Sequence, residues 1–203
     1  MILFVDLEAS SLLPGGFPIE VAWVDHDGQG ESHLIRPADQ WLDPDAGTPG
    51  WSPESERVHG ISLATLMSQG APVEQVAARA ALLTSRDAAV CSDAPEHDGY
   101  WLGRLFEAAG IRRSVCLLDV HTLYGWACRP LLDAPPLDDG PGRERAEQRI
   151  SNLAKEIVAG AEEVEWLRSR VRHRALPDAE GLWRTWCAVR EEVARHLAEE
   201  ARR

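Results

Sequence analysis

Four carboxylates and one histidine stand in surroundings that suit metal-assisted chemistry. Asp6 and Glu8 close the short apolar run 2–5 and lie two residues apart. In an extended chain, alternation sends both side chains to one face, where two anions repel unless a cation joins them. A pair built only from hard oxygen donors favours magnesium or manganese over zinc. Asp98 stands just before a helical pattern with Trp101, Leu102, Leu105 and Phe106 on its apolar face, where an aspartate often does no more than cap. Asp178 falls where the last long helical pattern starts, suited to be both N-cap and metal ligand. His173 precedes it on a loop that Pro177 and its turn keep out of the helix. Histidine titrates near neutrality as a residue type, so from a loop it can take a proton from water and pass it on. The neighbouring His97 reads more simply as a surface residue flanking a helix.

The elements that must carry these residues follow from pattern. The run 2–5 reads as a strand buried on both faces, and 19–24 as a second strand. Asp27-Gly28 marks a hairpin turn into a third strand at 32–35, and 37–53, rich in Pro, Gly and Asp, reads as a long surface loop. Helical spacing covers 73–83 and 99–109, the latter stopped by Gly110, and short strand-like runs occupy 88–92 and 115–118. A Pro/Gly/Asp-rich loop at 133–142 leads into a charged helical stretch to about 170. Hairpin strands followed by alternating helices and strands predict a three-layer α/β domain, with a central mixed β-sheet flanked by helices. One domain over 1–203 is expected, with an elaborated loop and helix at about 133–170.

Bulk composition narrows the function classes. The chain has 203 residues, 44% of them apolar and 27% charged, which suits a folded domain with a full core. Cys91, Cys116, Cys128 and Cys187 form no C-x-x-C pair, so a zinc site or disulfide framework is not indicated. No segment has the make-up of a targeting leader or reaches membrane-spanning length, and a cytoplasmic location is expected. The net charge of −12 is the wrong sign for coating long nucleic acid. Short or end-bound substrates fit better, or a small basic patch around Arg112, Arg113, Arg143, Arg145, Arg168, Arg170 and Arg174. Among the eight tryptophans, Trp23, Trp101, Trp183 and Trp186 fall at core positions, leaving Trp41 and Trp51 in the polar loop as candidates for base stacking. The charged stretch 143–170 is expected to be a solvated face, or a homodimer contact through Ile150, Leu153, Ile157 and Val164.

Taken in order, three segments resemble the three exonuclease motifs of the DnaQ-like family, in its histidine-bearing DEDDh branch. The first is Asp6-Leu7-Glu8-Ala9-Ser10-Ser11-Leu12, followed by Pro18-Ile19-Glu20-Val21-Ala22. The second is Asp98-Gly99-Tyr100-Trp101-Leu102, and the third runs from His173 to Asp178. Val58-His59-Gly60-Ile61 resembles a short His-Gly-Ile stretch common in the middle of the family. The likeness spans roughly residues 1–190. Three departures leave the five positions untouched: Ser11 replaces a usual Gly, Ala94 a common Asn, and His97 the intervening aromatic.

The resemblance implies an RNase H-like fold, two divalent metals per site (Mg2+ or Mn2+), and removal of nucleotides from 3′ ends of single-stranded or short DNA or RNA. It implies that Asp6 bridges both metals, Glu8 and Asp178 hold the one carrying the attacking water, and Asp98 supports the second. His173 would be the general base, and Ser10 and Leu12 would contact the terminal nucleotide. A catalytically silent exonuclease-like fold, binding nucleic acid or a polymerase, is the alternative from another class. Retention of four mutually repelling acids weighs against it. A glycosidase would need only two carboxylates and leaves Asp98, Asp178 and His173 unexplained.

Overall fold

The structure, a computed structural model, describes residues 1–42, 50–84, 87–132, 143–168 and 173–202. They divide into two compact units, Met1–Asp119 with Val171–Glu180, and Val120–Arg170 with Gly181–Arg203. The first unit carries a five-stranded mixed sheet flanked by helices, in the order β3-β2-β1-β4-β5. Strands β1 (Ile2–Ala9), β2 (Pro18–Asp25) and β3 (Gly30–Leu34) form an antiparallel meander, while β4 (Ala89–Ser92) and β5 (Leu117–Asp119) add to β1 in parallel. The turn from β2 to β3 is held by the Asp25 carboxylate, which accepts the N–H groups of Asp27 and Gln29, both at 2.9 Å, with Gly28 in the left-handed region.

Strand β1 is longer than the apolar run 2–5 suggested. Its ladder with β2 continues through the acids, setting Asp6 opposite Ala22 and Glu8 opposite Glu20, and bulges after Glu8. Leu3, Val5, Leu7 and Ala9 alternate into the main core. There they join Val73, Val76, Ala77 and Ala80 of helix α3 (Val73–Leu83) and Trp101, Leu102, Leu105 and Phe106 of helix α4 (Pro95–Ala108).

Two helices, α1 (Pro53–His59) and α2 (Leu63–Gln69), occupy a stretch where no periodicity was read. Each spans 7 residues, too short for a 3.6-residue pattern to stand out, although the serines that cap them were visible. Ser52 and Ser62 accept the N–H groups of Ser55 and Thr65, and Gly60 (φ 70°) ends the first helix. The surface-loop reading of 37–53 also needs correction. Residues Asp39–Trp41 form a 3-10 turn that buries Trp41 against Phe17, with ring centroids 5.3 Å apart and planes within 7°. Residues 43–49 of that loop lie outside the described residues.

The second unit is helical: α5 (Val120–Ala127), α6 (Arg129–Leu132), α7 (Arg143–Arg168) and most of α8 (Ala175–Glu200). Its core gathers Cys128, Leu131, Ile157, Val189 and Val193, with Ile150 and Leu153 packed against them. Three of the four side chains read as a dimer contact are thus used inside their own unit, and Val164 alone of the four is exposed. The loop expected at 133–142 lies outside the described residues. No described helix is long and apolar enough to cross a membrane.

Candidate active site

The acids converge because strand β1 outlasts its parallel neighbour. Pairing with β4 covers Ile2 to Phe4, so among the described residues no strand flanks the carboxyl end of β1 on that side. The chain leaving β4 passes alongside, bringing Asp93 and Asp98 to Asp6 at that edge. In open α/β sheets this carboxyl edge is where ligands gather. Asp98 lies inside the first turn of α4, which starts at Pro95, and not before the helix as its sequence suggested. It is buried, 4% exposed, and accepts a hydrogen bond from the Ser92 hydroxyl.

Asp178 likewise sits within the first turn of α8 and is not its N-cap. Its carboxylate reaches back to accept the N–H of His173 at 2.8 Å and of Arg174 at 3.3 Å, satisfying donors that a helix start leaves open. His173 is exposed and adopts φ 59°, a left-handed conformation unusual for a residue with a side chain.

Ligand atoms of Asp6, Glu8 and Asp178 all lie within 4.8 Å of one another, and so do those of Asp6, Asp93 and Asp98. The two triads share Asp6. The electrostatics match the crowding. Burial, then the charges of Asp98, Glu8 and Asp178, hold the Asp6 carboxyl well above the usual carboxylate range. Burial, followed by Asp178 and Glu20, pushes Glu8 up to about 8. Burial raises Asp98 to about 7 against the pull of Ser92, and raises Asp178 against its two backbone donors. Carboxylates gathered this tightly ionise together only when a cation offsets their repulsion. An all-oxygen donor set fits a hard divalent cation.

Two acids of this region were missed in the sequence. Asp93 follows β4 directly, and its only signal was an acid at the end of a short strand ahead of a proline-led helix. Glu20 was read only as part of an apolar strand, yet it is 3% exposed. A lone charge among apolar neighbours is almost never left unpaired, which was the usable clue. It accepts Arg174 Nε and Nη2 at 2.9 and 2.8 Å and the N–H of Ala175 at 3.1 Å.

Other expectations resolve differently. The Ser10 hydroxyl is fully buried, accepting the Phe17 N–H at 2.9 Å and donating to the Gly50 carbonyl. Leu12, on the same loop, is 79% exposed. His59 is buried, with Nδ1 accepting the Ile61 N–H at 3.0 Å. Trp51 is half-buried and donates to Glu56 at 2.8 Å. Of the arginines read as a basic patch, Arg174 is bound to Glu20, and Arg113 donates to the Ala81 and Thr84 carbonyls. Arg170 and the side chains of Arg143 and Arg145 lie outside the described residues.

Sheet order 3-2-1-4-5 with its flanking helices is the RNase H-like exonuclease fold. The particular likeness is to Escherichia coli exonuclease I. A complex with a dA16 oligonucleotide superposes with a TM-score of 0.59 at 17% identity, over 97% of this chain and 42% of that one. A zinc-bound complex with single-stranded DNA gives 0.58 at 17% identity, over 96% and 40%. A dT13 complex gives 0.55 at 17%, over 98% and 42%. The chain therefore spans about two-fifths of the length of those proteins. No protein-family model and no curated protein matches the sequence.

Proposed function

We propose that the chain is a metal-dependent 3′→5′ exonuclease acting on single-stranded or short nucleic acid, with residues 1–203 working as one exonuclease domain. The observation that carries this reading is the pair of carboxylate triads sharing Asp6 at the carboxyl end of β1. A fold whose relatives have been solved with single-stranded oligonucleotides supports it.

Asp6, Glu8 and Asp178 would hold one Mg2+ or Mn2+, and Asp6 with Asp98 the second. Bound there, the cations supply neutralisation of the phosphate and acidification of the attacking water. His173 takes that water's proton as its oxygen bonds to phosphorus, and the bond from phosphorus to the 3′ oxygen of the preceding nucleotide breaks. The products are a nucleoside 5′-monophosphate and a strand shortened by one unit with a new 3′ hydroxyl. Leu12 offers an apolar contact for the terminal base, and Ser10 holds the loop that presents it.

A 5′-labelled single-stranded oligonucleotide, incubated with the chain and Mn2+, is expected to yield a ladder of products shortened from the 3′ end. Asp6→Asn is expected to abolish both the ladder and the rise in melting temperature with Mn2+. A wild-type chain that binds the oligonucleotide, leaves it intact and ignores Mn2+ in the melt would be the silent module instead.

A further inference from the structure

We infer that the ion pair between buried Glu20 and half-exposed Arg174 is a positioning device for the residues that precede α8, holding His173 against the strand that carries Asp6 and Glu8. The inference rests on the nuclease reading for its catalytic consequence, but its geometry stands apart from it.

Two carboxylates between them fix three successive residues. Asp178 accepts the N–H groups of His173 and Arg174, while Glu20 accepts the Arg174 guanidinium through two nitrogens and the N–H of Ala175. The fork-to-carboxylate match is among the stronger polar contacts and is highly directional. It sits where it is needed, because His173 is held at φ 59° and a left-handed residue bearing a side chain persists only where its surroundings over-determine it. Glu20 belongs to β2, on the rigid sheet, so the clamp ties the start of α8 to the same framework as the acids.

Register adds a second reason. Glu8 lies directly opposite Glu20 across β1 and β2, a like-charge pairing that destabilises a sheet unless a cation intervenes. Arg174 is that cation. It neutralises Glu20 and also eases the ionisation of Glu8.

Glu20→Gln keeps the side-chain shape and one acceptor while removing the charge. Arg174→Gln breaks the same clamp from its half-exposed side, where refolding is less at risk. In either variant the amide protons of His173, Arg174 and Ala175 are expected to exchange at least about ten-fold faster, with the sheet amides unchanged. Turnover in 3′ trimming should fall about ten-fold or more at unchanged KM, and the double variant should fall no further than either single one. In a His173→Ala background, Glu20→Gln should alter the residual turnover by less than about two-fold, since its effect is exerted through the missing histidine. Unchanged exchange at the three amides overturns the clamp. Equal losses with and without His173 overturn the positioning role and leave ordinary structural support. A wild-type chain that trims nothing sinks the nuclease reading, while the exchange measurement still decides the clamp.

Discussion

At the scale of single residues, the site is a set of acids whose ordinary ionisation is suppressed by where the backbone puts them. A carboxyl in the unfolded chain titrates near 4, whereas the folded metal-free chain holds Asp98 near 7 and Glu8 near 8. Between these values the folded state binds protons that the unfolded state has released. Stability of the metal-free chain is therefore fully present below about pH 4 as far as these groups go, and is lost as the pH climbs through about 7 to 8. Melting in EDTA should give a lower Tm at about pH 9 than at about pH 5, and Mn2+ should stabilise more at the higher pH, because its binding displaces those protons. A Tm in EDTA that rises over this interval would mean the acids are not crowded together. The role proposed for His173 has a separate signature. His173→Ala should lower turnover by roughly 10²–10⁴-fold while the Mn2+ shift survives, and unchanged turnover would remove it from the mechanism.

At the scale of elements, what was legible and what was not divides along physical lines. Strands with apolar cores and helices of several turns were read at nearly their true positions, as with β2 and α3, because burial imposes its period on the residues. Asp6, Glu8, Asp98 and Asp178 stood out because each lies at a boundary where a periodic element meets an acid. Asp93 and Glu20 did not. One depends on the path of the chain between β4 and α4, the other on a partner 154 residues away. Trp41 failed for a related reason: its polar neighbours suggested solvent, while a turn of 3 residues folds the ring onto Phe17. That difference is measurable. Trp41→Ala should cost about 3–5 kcal/mol in urea unfolding, as a buried aromatic does, whereas Trp41→Phe should retain most stability and all oligonucleotide affinity. Lost affinity in the phenylalanine variant, at unchanged stability, would return Trp41 to the substrate surface.

At the scale of the whole molecule, charge sets the terms on which nucleic acid can be met. Thirty-three acidic residues oppose 21 basic ones, and two of the arginines read as a binding patch are engaged within the fold. A polyanion approaching such a surface gains little from the release of its counterions, because few phosphates are neutralised by protein cations. On the proposed reading, attraction is concentrated at the 3′ end, where cations held by the acids of β1 would meet the terminal phosphates. Two consequences can be measured together. The logarithm of kcat/KM for trimming should fall with the logarithm of salt concentration at a slope of only about −1 to −2, as for one to three phosphate contacts on a single strand. An oligonucleotide of about 5 nucleotides should be trimmed within about three-fold of the efficiency of one of about 30, as expected where phosphate contacts are confined to the end being trimmed. A slope steeper than about −4, with strong preference for the longer strand, would require an extended cationic track and would turn attention to the arginines of α7. A shallow slope with equal use of both lengths would mark an enzyme that recognises an end through its metals and the few side chains around them.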